Sequence, residues 1–187
     1  MAEPEQRVSG TIMLDQRRSM DDLVGAKVVD SALRKLPLSD RQEYESLMPV
    51  SWCPLSIAHK VVDLVAMEAG KTDILEFHKA VVNRGVERTL RGVWRTLLRL
   101  TTDEFLVGKT PLLFSKSYER GSLTSRFPGP GHAELELTGW PDVPTRDMEV
   151  IGVGIKRILE MAGRKEVTAV TRRTSQGASY TVTFLAK

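Results

Sequence analysis

Up to about residue 120 the apolar residues recur every three to four positions; beyond it they recur every second position. The first pattern predicts helices and the second predicts strands. Residues 1–7 read as a flexible tail, and the β-type residues of 8–14 predict a short strand. Ser19 is then expected to cap a helix, with Asp21 and Asp22 in its positive first turn. Leu23, Ala26, Val29, Leu33 and Leu36 give that helix its apolar stripe, and Pro37 stops it. Ser39 caps a short helix running to Leu47. Pro54 suits the first position of a third helix, where no backbone donor is needed. Leu55, Ala58, Val61 or Val62, Val65 and Ala69 form its apolar face, and Gly70 ends it. Thr72 opens a long helical region lined by Ile74, Phe77, Val81, Val82 and Val86. Gly85 and Gly92 interrupt it, and Val93, Trp94, Leu97, Leu98 and Leu100 continue its apolar face. Thr102 caps another helix holding Phe105, Leu106, Leu112, Leu113, Phe114 and Tyr118, kinked or restarted at Pro111.

After Gly121 the period changes. Residues 122–127 and 132–138 predict strands about the turn Pro128-Gly129-Pro130-Gly131, with Ala133, Leu135 and Leu137 on the dry face. Trp140-Pro141-Asp142-Val143-Pro144 reads as a loop. Thr145 caps a helix with Met148, Ile151, Ile155, Ile158 and Leu159 inward, closed by Gly163. Residues 166–173 and 179–185 form a terminal hairpin about Thr174-Ser175-Gln176-Gly177, and Tyr180, Val182 and Phe184 share one face. A helical N-terminal half followed by β-β-α-β-β predicts an α+β fold: an antiparallel sheet covered by helices on one face. One domain is expected over 1–187, with a mainly helical part (8–120) and a sheet part (121–187).

Composition narrows the function classes. Apolar residues make up 41% and charged residues 27%, with a net charge of +3, which fits a soluble globular chain with no strong demand for an anionic partner. A single cysteine excludes an intramolecular disulfide framework and a cysteine-rich zinc site. The polar start MAEPEQRVSG does not read as a signal peptide, so none is expected, and no apolar run approaches the roughly 18–20 residues of a membrane span. The expected compartment is the cytoplasm.

Candidate chemistry is sparse. His59, His78 and His132 are scattered, without the cysteine or carboxylate cluster that a metal centre needs; no cofactor or metal site is expected, although an imidazole with an open coordination position can hold haem iron. Cys53 would need a base such as His59 to act as a nucleophile; a buried packing role is the plainer reading. Arg84, Arg88, Arg91, Arg95 and Arg99 recur at spacings of four, three, four and four, which predicts one basic stripe along the long helix. That stripe is either a solvated face or a surface for an anionic partner. No stacking aromatics interleave with it, so nucleic acid is not the expected partner. Gly152-Val153-Gly154 lies inside a helix and follows no strand, so it is no dinucleotide fingerprint; these glycines are expected to let the helix sit close to the sheet.

Four segments carry a resemblance. They are Val8-x-Gly10-Thr11, Pro49-Val50-Ser51-Trp52-Cys53-Pro54-Leu55, Leu90-Arg91-Gly92-Val93-Trp94 with its leucines, and the terminal hairpin. In this order they resemble a bacterial family of unassigned function that is greatly expanded in myxobacteria. Members often carry an aromatic residue where Cys53 stands. The architecture is similar in turn to 4-vinyl-reductase-type small-molecule domains, haem-NO-binding-associated domains and TRAPP vesicle-tethering subunits. The resemblance implies a non-enzymatic regulatory module binding a small hydrophobic ligand. Trp52, Phe114, Trp140 and Tyr180 would form the pocket wall, and Arg91 or Arg95 the anchor. The alternative is a dimeric interaction scaffold engaging a protein such as a small GTPase, and a more remote one is an enzyme using Cys53 and His59. A homodimer through the helical half is expected, because the helices from Leu55 to Tyr118 carry more apolar residues than one sheet face covers.

Overall fold

The computed structural model describes residues 5–90 and 92–185, with the backbone alone for 93–95. These form eight helices and six strands. The chain divides into two compact units, one reaching to Val81 and including Lys116–Glu119, the other formed by Val82–Ser115 and the chain from Arg120 onward.

In the first unit, β1 (Arg7–Ser9) pairs antiparallel with β2 (Trp52–Pro54), setting Val8 opposite Cys53. The strand expected over 8–14 ends at Ser9, because Ser9 is itself a helix cap. Its Oγ accepts from the Ile12 N–H at 3.4 Å and starts α1 (Gly10–Val24). Ser19, expected to be the cap, is instead buried in the middle of α1, its hydroxyl donating to the Asp15 carbonyl at 2.7 Å. Gly10 permits this start: a Cβ there would lie 2.0 Å from the Met48 carbonyl oxygen. Gly25, at φ 89°, breaks the helix into α1 and α2 (Ala26–Leu33). α3 (Leu38–Glu45) starts after Pro37, one residue before the expected cap at Ser39. α4 (Leu55–Glu68) buries Ile57, Ala58, Val61, Val62, Val65 and Ala66 and packs against α2. The Ser31 hydroxyl joins the two by donating to Glu68 Oε1 at 2.7 Å, and the Lys35 ammonium pairs with the same carboxylate. α5 (Ile74–Thr89), which belongs to this unit up to Val81 and to the second from Val82, is capped by Asp73, whose Oδ1 accepts from the Glu76 N–H at 2.9 Å, rather than by Thr72.

In the second unit α6 (Val93–Leu100) follows a break at Gly92, whose φ of 66° no continuing helix allows. Thr102 caps α7 (Asp103–Ser117) as expected, accepting from the Phe105 N–H at 3.2 Å, and Pro111 lies inside that helix. Strands β3 (Ser122–Gly129), β4 (His132–Thr138), β5 (Lys165–Thr174) and β6 (Gly177–Leu185) form one antiparallel sheet in the order β3-β4-β6-β5. α8 (Thr145–Met161) packs on β5 and β6. Ala133, Leu135, Leu137, Tyr180, Val182 and Phe184 are all buried, as the alternation requires. Gly152 brings α8 down onto the sheet: a Cβ there would meet Thr171 Oγ1 at 2.8 Å and the Tyr180 ring at 3.6 Å. Gly154 has only the Val82 side chain nearby, at 3.9 Å, so close packing rests on Gly152. The fold is α+β, as the sequence pattern predicts. No helix among the described residues is long and apolar enough to cross a membrane.

Candidate functional site

A small apolar space in the second unit lies where α7, β4 and α8 meet. Its walls are Leu106, Val107 and Thr110 from α7, Ala133 and Leu135 from β4, and Ile155, Ile158 and Leu159 from α8. Three sequence features build it. The helical period turns Leu106 and Val107 inward from α7, strand alternation turns Ala133 and Leu135 inward from β4, and the four-residue spacing of Ile155 and Leu159 supplies the α8 wall. Thr110 is the one polar side chain, and its hydroxyl is spent on the Leu106 carbonyl at 3.4 Å. The free space is about 10 Å³. That is roughly one water molecule, in walls offering too few polar partners to hold one.

α7 carries two residues that weaken a helix. Pro111 has no N–H for the Val107 carbonyl four residues back. Gly108 sits in the helix interior with nothing within 4 Å of a would-be Cβ. Around the other end of α7 the structure is tied down by Arg164, which the sequence did not single out. Its guanidinium is buried. It reaches Asp103 Oδ1 at 2.6 Å, the Ala162 carbonyl at 2.7 Å, the Thr101 carbonyl at 2.8 Å and the Leu98 carbonyl at 3.5 Å. One cation thus closes the C-terminal ends of α6 and α8 and holds the first residue of α7. Nothing in a one-dimensional pattern separates it from the other basic residues, 27 in all with lysine.

The six residues expected at the ligand site are distributed as follows. Phe114, Trp140 and Tyr180 are buried in the second unit at 5%, 6% and 1% exposure, and none of them lines the cavity. Phe114 instead lies near Gly121, whose would-be Cβ is 3.6 Å from its Cζ. The Tyr180 phenol is held neutral well above its usual range by burial, then by Asp147 and Glu149. Trp52 belongs to the first unit, half-buried in β2 opposite Ser9. Arg91 and the Arg95 side chain lie outside the described residues.

The single basic stripe needs correction. α5 ends at Thr89 and α6 begins at Val93, with Gly92 between them, so Arg84 and Arg88 sit on one helix and Arg99 on another. Arg84 is 3.5 Å from Glu87, and Glu87 also pairs with Arg157 of α8, which reaches Glu160 at 2.7 Å. Arg84 is therefore part of an ion-pair network joining α5 to α8.

Cys53 is fully buried, and burial pushes its thiol up to about 12, with Glu43 adding to the effect and Arg7 opposing it. A thiol so held supplies no thiolate near neutral pH. Its folded pKa exceeds its unfolded one, so its contribution to stability is complete below about pH 9 and lost as the pH rises towards 12. Cys53 should therefore resist a thiol reagent such as DTNB in native buffer and react at once in denaturant. Cys53→Ala should soften the alkaline loss of stability above about pH 9. Rapid native labelling would contradict the burial. His59 and His78 meet edge to face with ring centroids 6.4 Å apart, His78 being buried, and His132 is 3.5 Å from Glu134. No group of three or more His, Cys, Asp or Glu among the described residues is placed to hold a metal ion.

No family model matches this chain, and no curated protein does. Solved structures do. An oxygen-binding H-NOX domain related to soluble guanylate cyclases, in its oxygen complex, matches with a TM-score of 0.68 at 18% identity over 96% of this chain and 95% of that one. The Fe(II) unliganded H-NOX protein from K. algicida matches with a TM-score of 0.68 at 10% identity over 96% and 97%. A mutant of T. tengcongensis H-NOX matches with a TM-score of 0.66 at 16% identity over 94% and 97%. The chain has the H-NOX fold over nearly its whole length, at identities that speak to fold alone.

Proposed function

We propose that this chain is a non-enzymatic regulatory module that takes a small hydrophobic ligand into the core of its second unit, between α7, β4 and α8. The observation that carries the reading is the all-but-apolar cavity beside a helix weakened by Gly108 and Pro111. The H-NOX fold supports a sensor role by analogy.

Haem is the group that the similar structures suggest, since one matching solved structure concerns haem redox potential and porphyrin distortion. The residues lining the cavity do not fit it. They include no imidazole, thiolate, phenolate or thioether to bind iron. About 10 Å³ is far short of the roughly 300–1,000 Å³ of ligand pockets. Burial keeps Cys53, Tyr44 and Tyr180 protonated, so none offers an anionic ligand.

A bare diatomic gas fits the space but not the energetics. At the ceiling of about 1.5 kcal/mol per heavy atom, two atoms give about 3 kcal/mol, weaker than a millimolar Kd. Micromolar affinity needs about six heavy atoms or more by the same ceiling. The ligand is then a small organic molecule, and it enters by bending α7 outward at Gly108 and Pro111. The alternative of an interaction scaffold draws support from the exposed apolar side chains of α6 and α7.

Native mass spectrometry of protein purified from its own host tests the proposal. The expected result is a chain of 20.9 kDa carrying an organic molecule, without Soret absorbance. Leu135→Trp, which overfills the space, should abolish the retained mass while circular dichroism verifies that the variant is folded. One haem per chain, or retention undiminished in Leu135→Trp, would overturn it.

A further inference from the structure

Helix α7 is apolar on both faces. Leu106, Val107 and Phe114 are buried, while Phe105 and Leu112 are each 52% exposed. A helix that is apolar all round is ordinarily covered all round. Glu104, Phe105, Gly108, Leu112 and Lys116 recur at helical spacing on the outer side, and all five are exposed. Phe105 lies under the Lys109 ammonium at 5.1 Å; no other side chain of this face makes an interaction among the described residues.

We propose that this face is covered by a second copy of the chain, through a two-fold antiparallel contact of α7 with α7 centred at Thr110. Three features of the helix select this partner and this direction. An antiparallel pair about residue 110 sets position 104 opposite 116 and position 108 opposite 112 of the copy. Glu104 then meets Lys116 twice, and the Leu112 side chain enters the gap over Gly108 twice. A Cβ on Gly108 would meet nothing within 4 Å, so the gap is open to receive it. The opposite direction sets Glu104 on Glu104 and Lys116 on Lys116, and like charges in contact disfavour it. A two-fold contact needs one self-complementary patch. The α7 outer face is such a patch, acidic at its start, apolar with a glycine notch in the middle, and basic at its end. An anionic membrane is the less suited occupant, because Glu104 would face the like-charged surface.

Sedimentation velocity over a micromolar dilution series tests this, independently of any ligand. The expected species at the top of the series is twice 20.9 kDa, dissociating on dilution. Leu112→Glu should weaken association at least about tenfold, as should Glu104→Lys or Lys116→Glu alone. The double exchange Glu104→Lys with Lys116→Glu should restore it, a rescue that only the antiparallel register gives. All these substitutions are on exposed positions, and circular dichroism of each variant verifies the fold. A single-chain species at every concentration would overturn the proposal. So would a dimer indifferent to Leu112→Glu, or a charge exchange without rescue. Association only with anionic vesicles, lost in Leu112→Glu, would replace the second copy with a membrane.

Discussion

Arg164→Ala should cost about 3–5 kcal/mol of folding stability, the range for removing one partner of a buried ion pair. The variant strands the Asp103 carboxylate, whose side chain is only 14% exposed, and removes the guanidinium donors of the Thr101 and Ala162 carbonyls, while the Leu98 carbonyl keeps the Thr101 hydroxyl at 2.6 Å. Against a total stability on the order of 5–15 kcal/mol, that is a large fraction. Arg164→Lys keeps the charge but loses the planar fork that serves several acceptors at once, so it should fall between wild type and alanine. Urea unfolding measures both. With m on the order of 2 kcal/mol per M, the alanine midpoint should drop by about 2 M. A drop below about 0.5 M would mean that the guanidinium is solvated, with little part in holding α6, α7 and α8 together.

Phe114→Ala should be nearly as severe, again about 3–5 kcal/mol. The ring is 5% exposed, and its Cζ lies against Gly121, where Leu137 also packs, with Leu137 Cδ1 at 3.2 Å from a would-be Gly121 Cβ. Deleting it opens a void in the second unit. Phe114→Leu conserves most of the volume and should cost less than about 1.5 kcal/mol. The pair separates two roles. A core residue loses stability in proportion to the volume removed, whereas the wall of a yielding pocket loses little stability and much ligand. A cost for Phe114→Ala under about 1 kcal/mol would return Phe114 to the ligand wall where the sequence placed it.

The fold was largely legible because its signals are local. Alternation at Ala133, Leu135 and Leu137, and at Tyr180, Val182 and Phe184, marks β4 and β6 without knowledge of what covers them. The Thr102 cap and the breaks at Gly92 and Pro37 are likewise written in single residues. The start of the first helix is ambiguous in the sequence because Ser9 and Ser19 are both plausible caps. What decides between them is distant in sequence: the β1–β2 pairing fixes Ser9, and the close approach of Met48 demands Gly10. The candidate site was harder to see. Large aromatics such as Phe114, Trp140 and Tyr180 attract attention as pocket walls, yet their size makes them good core filler, and all three are buried. The cavity is instead bordered by Leu, Ile, Val, Ala and Thr, residue types common in any core, at a junction of three elements. Arg164 escaped for the same reason, since its acceptors come from the ends of different helices.

The claim that a small hydrophobic molecule enters between α7, β4 and α8 is tested most directly by methyl NMR of the isotope-labelled chain during titration with toluene. The account predicts saturable shifts at the methyls of Leu106, Leu135, Ile155 and Leu159, absent in Leu135→Trp, with a Kd in the micromolar to millimolar range for seven heavy atoms. Methyl signals in this set that stay still up to the solubility limit of toluene, or that move equally in Leu135→Trp, would contradict it.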